Sequence, residues 1–160
     1  MNFTIRKSHI LAVILSSFVL AISLILAPFG SSASAAKASK GNQVVTYAKT
    51  LEGKPYKYGG TTPKGFDASG YTQYVFKKSV KVSMSRTTVD QYKKGTSIDK
   101  KNLKAGDLVF FKADGKKVSF VGIYVGENQF IAATSKGVKT QSLTTKYWKD
   151  SYVGAKRILE

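Results

Sequence analysis

The chain changes its period once, at Leu103, and that change limits the folds open to it. Before it, Val44, Val45, Ala48 and Leu51 recur at helical spacing and predict an amphipathic first helix that ends near Gly53, ahead of Pro55. The stretch KPYKYGGTTPKGF that follows is too rich in Gly, Pro and Thr to be anything but loop. Asp67 or Ser69 can cap a second helix running to about Lys78, with Tyr71, Tyr74 and Val75 on one face. Ser85 or Thr87 can cap a short third helix through Val89 and Tyr92, closed by Gly95. After Leu103, Ala105-Gly106-Asp107 leads into the β-formers LVFF. Further strands are predicted over 118–125, 129–133, 138–143 and 152–159, with a Gly126-Glu127-Asn128 turn between the first two. Helices first and a mostly antiparallel meander second give an α+β class, with helices packed on one sheet of five or six strands.

The first 35 residues read as a secretion signal: a basic tip with Arg6 and Lys7, an apolar run over 10–26, and Ala33-Ser34-Ala35 as a cleavage site near Ala35. An uncleaved anchor is the alternative, because the run is at the lower limit for spanning a bilayer. Residues 36–43 read as a short tether and 44–160 as one domain with one core. The chain has no cysteine, so no disulfide holds that domain, and the reading is of a bacterial protein secreted to the cell wall with no stable membrane span once the leader is cut. Without the leader, 24 basic residues face 9 acidic ones, a net charge of about +15, and such a field concentrates polyanions. Outside a cell these are anionic wall polymers such as teichoic acid. Nucleic acid is not expected as a partner, since the leader exports the chain and no nucleic-acid motif is present.

The single histidine, His9, lies in the leader, so the domain has neither thiol nor imidazole. This matters because the segments YAKTLEGKPYKYGG, GFDASGYTQYVF, SRTTVDQYKKG, LKAGDLVFF, SFVGIYVGENQFIAA and YVGAKRI, in that order, resemble the NlpC-type cell-wall endopeptidases, papain-like cysteine peptidases of bacteria. The resemblance runs from about Val44 to Ile158 and implies a papain-like domain without a cofactor. Members carry Asp-Cys-Ser-Gly where this chain has Asp67-Ala68-Ser69-Gly70, and His-Val-Gly-Ile-Tyr where it has Phe120-Val121-Gly122-Ile123-Tyr124. A third polar residue, often His, is replaced by Ala132. On this reading nucleophile, base and orienting group are all lost at Ala68, Phe120 and Ala132. Phe120 is expected to fill the imidazole slot and make the cleft more apolar.

The resemblance also implies that Tyr58, Asp67 and Ser69 hold the amino end and the D-glutamyl part of a peptidoglycan stem peptide, with Arg86 beside them in a block whose Pro is replaced by Ser85. Each residue has a plainer role open to it. Asp67 or Ser69 can simply cap the second helix, Tyr58 can line the core, and Arg86 can pair with Asp90 across one helical turn. A metal centre is not expected, because scattered Asp and Glu offer no ligand cluster without His or Cys. Gly59-Gly60 lacks the Lys-Ser or Lys-Thr of a phosphate loop, and no Lys is singled out as base for a serine nucleophile at Ser69 or Ser119.

The expected function is therefore a secreted, catalytically inactive NlpC-type domain that binds stem peptide, anionic wall polymer or both. Two alternatives stand beside it. One is an active peptidoglycan hydrolase, γ-D-glutamyl endopeptidase-like, as family membership implies. The other is an interaction module for another wall hydrolase or a toxin.

Overall fold

A computed structural model describes residues 38–159 of the chain, so the leader reading, the cleavage site included, lies outside the described residues. In chain order the elements are α1 (Lys40–Lys49), β1 (Thr61–Thr62), β2 (Gly65–Phe66), α2 (Ala68–Val80), α3 (Thr88–Tyr92), β3 (Thr96–Ile98), a 3₁₀ turn (Lys100–Asn102), β4 (Leu108–Phe111), β5 (Phe120–Gly126), β6 (Gln129–Thr134), β7 (Gly137–Ser142), α4 (Lys146–Ser151) and β8 (Tyr152–Arg157). The fold is α+β. Six strands form one sheet in the order β3-β8-β4-β5-β6-β7, and every neighbouring pair in it is antiparallel.

Strand alternation divides the core in two. Leu108, Phe110, Val121, Ile123, Ile131 and Ala133 face α1 and α2 and bury Val44, Ala48, Tyr71, Val75 and Phe76 against the sheet. Their alternates Val109, Phe111, Tyr124, Phe130 and Ala132 face the other way, where Trp148 of α4 covers them. LVFF is buried at all four positions because both faces of β4 are covered, so its sequence shows no polar alternation. The Trp148 ring lies 4.9 Å from Phe111 and 5.1 Å from Phe130, edge-on to both, an arrangement aromatic quadrupoles favour.

The helix expectations hold, with refined ends. Helix α1 starts at Lys40, inside the stretch read as a tether, because Ser39 accepts a hydrogen bond from the Asn42 N–H (3.2 Å) and caps it. Thr87 caps α3, accepting from the Asp90 N–H (3.2 Å). The loop 54–66 contains a two-residue hairpin, β1 with β2. Besides that hairpin and the 3₁₀ turn, two elements escape the sequence reading. Strand β3 is three residues long and mostly exposed, and α4 is a short Lys-rich helix on the face away from the others.

Candidate functional site

The N-terminus of α2 is built around one carboxylate. Asp67 is the N-cap: its Oδ1 accepts from the Gly70 N–H at 2.7 Å, satisfying a donor that the helix leaves free. Oδ2 accepts from the Gly59 N–H at 3.0 Å and so ties the Tyr58-Gly59-Gly60 turn to the helix. Arg86 donates to both oxygens, Nη1 to Oδ1 at 3.0 Å and Nη2 to Oδ2 at 2.6 Å, and also from Nη1 to Ser69 Oγ at 3.0 Å. The Ser69 hydroxyl reaches Oδ1 at 3.4 Å. A carboxylate has about four lone-pair sites, so Asp67 is saturated internally. The long Ser69 contact is the one a ligand can displace.

Burial pushes the Asp67 carboxyl up, but the Arg86 guanidinium and the Gly70 and Gly59 N–H groups outweigh it and hold its pKa below the ordinary Asp value. The same bonds raise Arg86. Gly70 is required here sterically, because a Cβ on it would run into the Gly60 carbonyl oxygen, which also accepts from the Asp67 N–H.

Arg86 is itself held in place through Gln91, a fully buried amide on α3. Gln91 Nε2 donates to the Ser85 carbonyl (2.8 Å) and the Ser69 carbonyl (3.0 Å), while its Oε1 accepts from the Thr72 hydroxyl (2.7 Å). Sequence reasoning missed Gln91, and its only signal was an uncharged polar residue on a helix too short to show a period. The plainer pairing expected of Arg86 is corrected: Asp90 bonds the Thr87 hydroxyl and Lys93, while Arg86 turns to Asp67.

Gly59, Asp67, Ser69 and Arg86 line a cleft of about 470 Å³, together with Tyr56, Thr87, Thr88, Val89 and residues 117–119 of the β4–β5 loop. Tyr58 stands at this cleft 88% exposed, which excludes the core-lining role considered for it. Tyr58, Asp67, Ala68, Ser69 and Arg86 are thus brought together. Ala68, the first residue of α2, presents only a methyl to the cleft.

Phe120 and Ala132 are not among the cleft-lining residues. The expectation that Phe120 fills a slot in the cleft is corrected. Its ring, only partly buried, packs against Trp148 (5.1 Å) and Phe111 (6.1 Å) at the rim of the aromatic cluster, and also against the helix-side core. Ala132 is fully buried in the same cluster, opposite Lys139 of β7.

The profile of the NlpC/P60 family matches residues 53–157. A γ-DL-glutamyl hydrolase of Bacillus subtilis is 43% identical over 140 residues, covering 83% of this chain and 34% of its own length. A protein of Escherichia coli K12 named probable endopeptidase NlpC is 45% identical over 112 residues, covering 69% of this chain and 73% of its own. Among solved structures, the NlpC/p60 domain of the peptidoglycan hydrolase SagA aligns with a TM-score of 0.65 at 33% identity, over 74% of this chain and 98% of that one. The chain spans about a third of the length of the Bacillus hydrolase.

These relatives correct the expected function. Chains 43–45% identical to this one are named as hydrolases and endopeptidases, which favours the hydrolase alternative over a catalytically inactive binding module. The inactive reading rested on the missing thiol and imidazole. Their absence removes a thiolate route, but it does not by itself specify a binding role.

Proposed function

Since this chain belongs to the NlpC/P60 family, we propose that it is a peptidoglycan hydrolase that takes stem peptide into the Asp67–Arg86 cleft. The observation that carries this reading is 43% identity over 109 residues to a protein of Escherichia coli named as a murein DD-endopeptidase and 44% over 116 residues to one of Bacillus subtilis named as a probable peptidoglycan endopeptidase. The cleft adds physical support. A helix N-terminus, a bidentate Asp–Arg pair and an exposed tyrosine converge there, which suits a peptide with charged termini and an apolar body.

With Ala at 68 and no Cys or His after His9, the nucleophile is water in place of a thiolate: its oxygen adds to the amide carbonyl carbon, the C–N bond breaks, and the proton that water gives up passes to the leaving amine. The Ser69 hydroxyl, which accepts from Arg86 at 3.0 Å and reaches Asp67 Oδ1 at 3.4 Å, is the cleft hydroxyl placed to bond a bound peptide once that longer contact is exchanged. Secretion through the 1–35 leader, a domain that begins with α1 at Lys40 and not at 44, and retention on teichoic acid by the basic surface complete the proposal. Among the described residues no helix is long and apolar enough to cross a membrane.

The test is release of new amino groups from purified peptidoglycan fragments. Release by the protein, reduced at least tenfold in Ser69→Ala and Asp67→Asn, is the expected result. No release above buffer from folded protein overturns the hydrolase reading.

A further inference from the structure

Charge accounting in the cleft leaves one cation over. Its lining residues include one carboxylate, Asp67, and two cationic side chains, Arg86 and Lys117. Asp67 and Arg86 neutralise each other through two short hydrogen bonds. Among the described residues Lys117 has no ion-pair partner, and its ammonium makes no hydrogen bond.

The backbone beneath that lysine is nonetheless ordered by specific bonds. Asp114 Oδ1 accepts from the N–H groups of Lys116 (3.1 Å) and Lys117 (3.2 Å). The Ser119 N–H donates to the Phe111 carbonyl at 3.0 Å, and Ser119 Oγ accepts from the Ala113 N–H at 3.1 Å. The loop therefore holds Lys117, Val118 and Ser119 along the cleft, while its other lysines, Lys112 and Lys116, do not line it.

Resting on the hydrolase reading, we infer that Lys117 is a specificity-determining residue that binds a free carboxylate of the peptide in the cleft, so that acidic peptides are preferred to their amidated forms. A positive site of this kind discriminates chiefly by charge, because an amide of the same shape gains no ion pair. The strongly basic chain draws anions toward the cleft, but only a cation inside it can distinguish one carboxyl group of a bound peptide from its amide.

The experiment compares a synthetic tetrapeptide stem bearing free carboxyl groups with the same peptide carrying carboxamides, by calorimetry and by amine release. The wild-type protein is expected to bind the acid about tenfold more tightly at low salt, and the preference should shrink as salt screens it. Lys117→Gln should bring the two affinities within about twofold by weakening the acid alone, while Lys117→Arg and Lys116→Gln keep the preference. Equal affinity in the wild type, or a preference that survives Lys117→Gln, overturns the inference. If both peptides are cleaved in that case, the hydrolase reading stands without it. If neither peptide is cleaved but the acid preference depends on Lys117, the hydrolase reading fails and the carboxylate site remains.

Discussion

Asp67 and Asp107 each grip an arginine with two hydrogen bonds and each pair lines a cavity, of about 470 and 400 Å³, yet one stands among ligand-facing groups and the other closes the fold. Asp107 is 2% exposed and accepts from Arg157 Nε and Nη2, both at 2.8 Å, and from the Lys104 N–H at 2.8 Å. It ties the last strand to the entry of β4 and shares no cleft with Asp67. Around Asp67 the same chemistry stands beside an exposed tyrosine and a cleft hydroxyl, Ser69, bonded to the arginine. An ion pair is therefore read as structural or functional from what lies next to it, and its own geometry does not distinguish the two.

The comparison breaks if the two pairs respond alike to mutation. Asp107→Ala should cost the most, about 3 kcal/mol in denaturant unfolding, because Arg157 and a backbone donor lose a buried partner. Amine release per folded molecule should be unchanged. Asp67→Asn should cost less, about 1–2 kcal/mol, since Asn can still cap α2 and only the charge opposite Arg86 is removed. Here activity should fall at least tenfold while the fold persists.

Acid sharpens the contrast. Because the folded-state pKa of Asp67 lies below its unfolded value of about 3.9, the carboxylate's stabilisation is complete above about pH 5 and is lost as pH falls through the unfolded and then the lowered folded value. The stability gap between the wild type and Asp67→Asn should accordingly close in that acid window. A gap that persists far below it would show that the charge on Asp67 is not what stabilises the turn.

Much of this was legible in the sequence, for identifiable reasons. The helix starts were visible because Asp67 and Thr87 are short polar residues ahead of apolar runs, and the strands because LVFF and the Gly126-Glu127-Asn128 turn are strong local signals. Asp67, Ser69, Tyr58 and Arg86 could be named as a set from motif resemblance. Their mutual bonding could not, because Arg86 is 19 residues from Asp67 and had a nearer acid in Asp90. Strand β3 is too short and exposed to carry a pattern, and Phe120's turn toward Trp148 depends on an α4 that was not foreseen. Lys117 was one of many lysines until the β4–β5 loop was seen to face the cleft.

Gln91 tests whether the cleft pair needs support that the structural pair does not. Arg157 is held by its own strand in the sheet, whereas Arg86 sits on an irregular segment fixed by Gln91 through Ser85. Gln91→Leu, of similar volume, should cost about 1–2 kcal/mol by leaving the Ser85 carbonyl without its donor. It should also raise KM for stem peptide, as Arg86 and the cleft wall lose their fixed position. A loss of stability with KM unchanged would make Gln91 a packing residue only.

The smallest effect on stability should come from Tyr58, and it is the most telling for the cleft. At 88% exposure its side chain is solvated in the free protein, so Tyr58→Ala should change unfolding free energy by less than about 0.5 kcal/mol. An aromatic left that open beside an Asp–Arg pair contributes through what it covers when the cleft is occupied, so amine release from stem peptide should drop severalfold in the same variant. Trp148, the sole tryptophan, reports independently that the domain stays folded, because its emission depends on the dry cluster with Phe111 and Phe130 on the far face of the sheet. Unaltered Trp148 emission with weakened turnover places the function of Tyr58 at the ligand. Unaltered turnover would leave the Asp67–Arg86 pair without an aromatic neighbour that touches substrate, and the distinction from Asp107 would then rest on the Ser69 hydroxyl alone.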